Sequence, residues 1–143
     1  MDPLSAAASV VALLDAACKS SKLIYSFFRD IVDGPSVVQN HCIFLQVLQG
    51  SLTQLREICA IVELQNEHAM KLRTNVNQCL KDLKIAERRI IMVDRNMKSG
   101  NMRRTWALVR WALFKGDPSI DNFFSRMKMW QSTFACDLML LQL

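Results

Sequence analysis

Hydrophobic residues recur every three or four positions along most of this chain, the spacing that places them on one face of an α-helix. An Asp-Pro pair at positions 2–3 predicts the first helix start, because aspartate can cap backbone N–H groups and proline suits the first turn. Between Leu4 and Leu14 the apolar residues cover nearly the whole circumference, and residues 33–36 end the segment. We predict a long, apolar N-terminal helix that its neighbours enclose.

Four further segments follow the same rule. Helices are predicted over residues 38–62 and from residue 69 to about residues 98–100, with apolar positions to residue 93. The polar residues 63–68 between them fit either a turn or a kink. A shorter helix over residues 102–113 precedes a second Asp-Pro pair at positions 117–118, which opens a last helix reaching Leu141. No segment alternates as a strand does. The chain is therefore predicted to be all-α: one domain, residues 1–143, folded as an up-and-down bundle of about five helices with an apolar N-terminal helix.

Composition agrees with this fold. Of the 143 residues, 51% are hydrophobic, and four glycines and three prolines are too few for the turns of a β-sandwich. The five cysteines are widely spaced and odd in number, which is typical of buried hydrophobes in a reducing compartment. The apolar run near the N-terminus is too short to span a bilayer and lacks the basic leader of a signal peptide. A cytoplasmic protein is predicted.

Charge is distributed unevenly. Before position 81 the chain has six basic and seven acidic residues, whereas residues 81–128 contain twelve basic and five acidic ones. Such an excess can attract anionic lipid, nucleic acid or an acidic protein. Because acids are interleaved with the bases, a solvated helix face is the commoner explanation, and an anionic-partner surface is the alternative. The candidate anionic-surface contacts are Lys84, Arg88, Arg89, Arg95, Arg103 and Arg104.

Motifs that carry chemistry are missing from the sequence. It contains no phosphate-binding or dinucleotide-binding glycine motif and no helical zinc-protease motif. His41 and His68 do not stand at metal-ligand spacing, and the adjacent His41 and Cys42 point about 100° apart on a helix, which prevents a base from facing its nucleophile. The three tryptophans fall within apolar stripes, which favours core packing over base stacking. We predict no catalytic residue, no cofactor, no metal and no nucleic-acid partner.

The first fourteen residues carry a family resemblance. The sequence MDPLSAAASVVALL resembles the start of the N-terminal domains that precede the nucleotide-binding engines of fungal NOD-like (STAND) receptors. The break at residues 33–35 before a leucine-rich helix is similar to that group, as is the pair Trp106 and Trp111 before a final long helix. Members of the group resemble HeLo and HeLo-like domains, helical bundles whose apolar N-terminal helix is thought to disrupt membranes once neighbouring domains trigger them.

The resemblance implies a non-enzymatic signalling or effector domain that acts through helix-mediated protein contacts and by membrane perturbation in regulated cell death or incompatibility. The implied partners are helices of other proteins, a second copy of the chain, or an anionic membrane surface reached on activation. The implied membrane or partner segment contains Leu4, Val10, Val11, Leu13 and Leu14. The alternative is a purely structural protein-protein interaction module, stand-alone or truncated.

Overall fold

The computed structural model describes residues 3–31, 36–99 and 119–142, and these stretches contain four α-helices and no strand. The helices are α1 (Pro3–Arg29), α2 (Ser36–Ile61), α3 (Asn66–Ser99) and α4 (Ser119–Leu141). The all-α prediction is confirmed for this part of the chain. The connection between α2 and α3 is shorter than predicted, residues 62–65, because α3 begins at Asn66. The predicted helix over residues 102–113 and the Asp-Pro pair at 117–118 lie outside the described residues.

The four helices alternate in direction. Helix α1 packs against α2 and α3, and α4 packs against the same two helices from the other side. One end of the bundle therefore gathers the start of α1, the end of α2, the start of α3 and the end of α4. Contacts between side chains identify these directions. Asp15 with Arg56 and Cys18 with Thr53 join α1 to α2, and Ser20 with Glu87 joins α1 to α3. Asp82 with Trp130 and His68 with Asp137 join α3 to α4.

The core forms where the apolar faces of the helices meet. The predicted faces of α2 and α3 are confirmed almost position by position, except that Val62 is exposed beyond the end of α2 and Ala86 is only partly buried. In α1, Ser21 joins the buried face, and its hydroxyl donates a hydrogen bond to the carbonyl of Cys18 at 3.0 Å. The buried members of the predicted faces are Val38, Cys42, Leu45, Leu48, Leu52, Leu55 and Cys59 in α2, and Ala69, Leu72, Val76, Cys79, Leu83, Ile90 and Val93 in α3.

The first helix is less enclosed than its apolar sequence predicts. Val10 and Leu14 are fully buried between α2 and α3. The opposite edge of α1, however, is exposed, and it presents Ala8 and Ala12 followed by Lys19. This arrangement arises because α4 lies across α2 and α3 and meets α1 near the end of that helix, where Phe124 contacts Phe28.

In the last helix, the apolar spacing from Ile120 through Met127 predicts that Phe123 lies in the core, but the structure buries the next residue instead. Phe123 is only partly buried, whereas Phe124 is fully buried. The Phe124 ring stacks on His41 of α2, with centroids 4.2 Å apart, and meets the edge of Phe28 of α1 at 5.4 Å. Helix α4 is therefore rotated so that this ring fills the space between α1 and α2.

Four of the five cysteines are buried as predicted, and Cys136 is exposed, contrary to the prediction. Cys136 lies two residues from both Phe134 and Leu138, and two residues turn a helix by about 200°, which directs it to solvent. Burial raises the pKa of Cys42 to about 11, and the pKa of Cys59 is likewise raised to about 11 by burial and the nearby Asp137.

We expect one thiol per folded chain to react quickly with a chromogenic disulfide reagent at pH 8, and the other four to react only after unfolding. The physical reason is that Cys136 is exposed, whereas burial keeps the reagent from the other four thiols and raises the pKa of each of them, which lowers their thiolate fraction. Stopped-flow thiol titration with and without urea measures both populations, and Cys136→Ser should remove the fast one. Two or more fast-reacting thiols in the folded protein would contradict the burial of the four core cysteines.

Candidate interaction surfaces

A shallow groove of about 640 Å³ lies between the first half of α1 and the end of α2. At its margin Arg56 donates a hydrogen bond to the Asp15 carboxylate at 2.9 Å, and Lys19 pairs with the same carboxylate at 3.0 Å. The hydrogen bond from Lys19, helped by Arg56, holds the pKa of Asp15 below its usual value despite some desolvation. The rest of the groove is lined by small or apolar side chains: Ala8, Val11, Ala12, Cys59 and Ala60.

Apolar side chains at the ends of α2 and α4 are open to solvent. Ile61, the last residue of α2, is 84% exposed, and Val62 follows it at 40%. At the same end of the bundle, Met139 and Leu140 near the end of α4 are also exposed. We call the surface formed by Ala8, Val11, Ala12 and Ala60 the α1–α2 patch.

The predicted membrane or partner residues of α1 fall into different environments. Val10 and Leu14 belong to the core, so they can touch a partner only if α1 leaves the bundle. Val11 lines the α1–α2 groove, and the partly buried Leu13 lines a second groove on the α3 side. Leu4 lies in α1, but its side chain is outside the part of the chain that the structure describes. The second groove is otherwise lined by Ser9, Met70, Arg73, Thr74, Asn77 and Gln78.

Two of the acids that alternate with bases along α3, Asp82 and Glu87, face neighbouring helices. The Asp82 carboxylate accepts hydrogen bonds from Trp130 Nε1 at 2.9 Å and Arg126 Nε at 3.0 Å, and it forms a further ion pair with Arg126 at 3.0 Å. These contacts join α3 to α4. Trp130 is the one tryptophan within the described residues, and it is buried as predicted, with its N–H satisfied.

Glu87 makes the corresponding link to α1. Its carboxylate accepts a hydrogen bond from the Ser20 hydroxyl at 2.9 Å and pairs with Lys84 at 2.8 Å. Burial acts to raise the pKa of Glu87, but the hydrogen bonds from Lys84 and Ser20 outweigh it and hold that pKa below its usual value. Of the candidate anionic-surface residues, Lys84 is therefore engaged by an acid.

The other candidate cations of α3 are open to solvent. Arg88, Arg89 and Arg95 are all exposed on the face that points away from the bundle. Arg103 and Arg104 lie outside the described residues. The sequence could not show this sorting of charges, because it depends on which partners α1 and α4 offer to Asp82 and Glu87.

The histidines serve packing and pairing roles. His41 stacks on Phe124, and the neighbouring Cys42 is a buried thiol whose pKa is raised by burial. His68 Nε2 lies 3.8 Å from Asp137 Oδ1, while burial raises the pKa of Asp137 in spite of the nearby His68 and Lys71. Within residues 3–31, 36–99 and 119–142, no three His, Cys, Asp or Glu side chains gather as a metal site. No helix in these stretches is long and apolar enough to cross a bilayer.

Comparison with known proteins places the chain in a family. A family model described as pigment biosynthesis cluster protein PigL N-terminal matches residues 1–143. No curated protein and no solved structure shows a significant match. The family is a helical domain family of fungal type. On this whole-length match, the chain belongs to the PigL N-terminal family of pigment biosynthesis cluster proteins.

Proposed function

We propose that this chain is a non-enzymatic signalling or effector domain of the kind found at the N-terminus of fungal NOD-like (STAND) receptors. It acts through helix-mediated contacts, and the partner we commit to is a second copy of the chain. The proposed domain includes the fifth helix predicted over residues 102–113 and an apolar N-terminal segment. The observation that supports it most is the α1–α2 patch, because an exposed apolar surface of contiguous side chains is typical of a protein interface.

The shape of the α1–α2 patch suits a helix. Ala8, Ala12 and Ala60 are small and exposed, so the axis of a partner helix can approach to about 8–10 Å. Val11 lines the same groove and is only partly buried, so it is the larger apolar side chain that gains from being covered.

The charges at the margin of the patch favour self-association. Asp15 and Arg56 have opposite signs and lie side by side. In a dimer with two-fold symmetry, the same patch meets itself, so an acid and a base on each copy can face their opposites. A patch bordered by charges of one sign would repel its own copy.

Sedimentation equilibrium of the full chain over a wide concentration range tests this proposal. We expect reversible self-association of the wild-type protein and its loss in Ala12→Arg, because the new guanidinium would be buried without a partner. Gln39→Arg adds the same charge at an exposed position near the start of α2 and should associate like the wild type. A wild-type chain that stays monomeric contradicts the proposal, as does an Ala12→Arg chain that associates normally with the helical content of the wild type.

A second candidate function is membrane perturbation by α1, the route to regulated cell death. The supporting observation is that Val10 and Leu14 are sequestered inside the folded bundle. A switchable membrane segment requires such burial, because the same apolar face must first be covered and later exposed. A purely structural interaction module would use the α1–α2 patch but leave vesicles intact.

A further inference from the structure

The outer face of α3 combines basic and apolar side chains in one straight stripe. Ile85 and Met92 are 52% and 65% exposed, although they are large and apolar. Three exposed cations alternate with them at spacings of four and three residues, which aligns all five on one side of the helix. The stripe runs for about 21 Å along α3. Its members, in order, are Lys81, Ile85, Arg88, Met92 and Arg95.

Residues on either side of this α3 stripe add to its positive charge and to its apolar character. Arg89 is exposed on one side, and Ile91 is 42% exposed on the other. Two of the three acids of the same segment are directed elsewhere: Asp82 towards α4 and Glu87 towards α1, with side chains only 12% and 14% exposed. The third, Asp94, is partly buried and lies outside the stripe. The outer face is therefore far more positive than the formal charge of the segment indicates.

We propose that the outer face of α3 is a docking surface for the headgroup layer of an anionic lipid bilayer, which the folded bundle uses without releasing α1. This inference goes beyond the proposed protein contact, because it uses a different helix and a different face. Arginine and lysine side chains can reach lipid phosphates while the apolar side chains between them enter the acyl boundary.

The geometry favours a bilayer over other anionic partners. A straight stripe on the convex side of one helix is tangent to a plane, so all five side chains can meet a flat surface together. A nucleic-acid backbone offers nothing apolar for Ile85 and Met92, and the stripe has no aromatic ring for base stacking. An acidic protein surface would pair with the cations but would offer no apolar partner to Ile85 and Met92, which lie between the cations.

Vesicle co-sedimentation of the full chain tests the proposal. We expect binding to phosphatidylcholine vesicles that contain phosphatidylserine and little binding to pure phosphatidylcholine. Arg88→Gln with Arg95→Gln should weaken binding to the anionic vesicles by roughly twenty-five-fold, since each surface cation contributes roughly fivefold. Lys22→Gln with Arg29→Gln is the matched control: it removes the same charge from exposed positions of α1 outside the α1–α2 patch and should change binding by no more than about threefold.

A second variant separates lipid from an acidic protein. Ile85→Ser with Met92→Ser keeps every charge and should still weaken vesicle binding by roughly tenfold, because the apolar contact with the acyl boundary is lost. Circular dichroism checks that both exposed-face variants retain the helical content of the wild type. Absence of binding to anionic vesicles overturns the proposal, and so does an equal loss in the two glutamine variants. Unchanged binding of the serine variant, with polyglutamate competing fully, would assign the face to acidic proteins instead.

Discussion

Replacing Leu14 with alanine is expected to lower the free energy of unfolding by about 3 kcal/mol, a typical cost of removing a buried leucine side chain. Leu14 is fully buried and lies where α1 passes between α2 and α3. The cavity cannot close easily, because the surrounding side chains belong to three separate helices. Urea unfolding followed by far-UV circular dichroism measures the change, with the slope of the transition checked for two-state behaviour.

The neighbouring position provides the matched control. Leu13→Ala removes the same atoms, but Leu13 is only partly buried at the edge of a groove, so the expected loss is about 1 kcal/mol. The difference between the two variants depends only on how α1 is rotated about its axis. Equal losses at both positions, or a larger loss at Leu13, would show that α1 is packed differently from the structure described here.

Periodicity was sufficient to predict the helices α2 and α3 and their buried faces. Along α2, an unbroken apolar series at spacings of three and four runs from Cys42 to Cys59 and predicts the core face. The other apolar residues, such as Ile43 and Val47, do not continue as a series along the helix and are exposed. In α1 the apolar residues nearly surround the first half of the helix, and the pattern could not distinguish Val10 and Leu14 from Val11 and Leu13. That distinction depends on which sides α2 and α3 occupy.

In α4, two adjacent residues of similar hydrophobicity likewise prevent the sequence pattern from assigning the core position. Phe123 and Phe124 are equally apolar, and only the positions of His41 and Phe28 select the second ring for the core. Ser21 illustrates the opposite case, a polar residue that is buried because its own helix offers the carbonyl of Cys18 as a local acceptor. Neither choice can be made from the spacing of apolar residues.

The charged residues show why the candidate surface was harder to predict than the fold. The sequence places Asp82 and Glu87 among the bases of α3, which favours a balanced, solvated face. In the structure, Trp130 and Arg126 engage the first acid, and Ser20 and Lys84 engage the second. Long-range pairing therefore separates the two signs and leaves the cations of the α3 stripe facing solvent.

Locking α1 to α2 should abolish any leakage that the protein causes in anionic vesicles. Cys18 Sγ lies 3.6 Å from Thr53 Oγ1, so Thr53→Cys brings a second sulfur close to a native one on the neighbouring helix. A disulfide requires about 2.0 Å between the sulfur atoms, a distance that small side-chain shifts can reach. If leakage requires Val10 and Leu14 to leave the core, the oxidised variant releases no dye, and a reductant restores release to the wild-type level.

Several controls make this result specific to α1. The variant is made in a Cys136→Ser background, because the exposed thiol could otherwise join two chains, and Thr53→Ser receives the same oxidation. Intact mass before and after reduction verifies the bond. Undiminished leakage from the oxidised variant would contradict release of α1, as would a folded wild type that causes no leakage. Docking through the α3 stripe needs no such release, so the locked protein should still bind anionic vesicles, and this separates attachment to a membrane from damage to it.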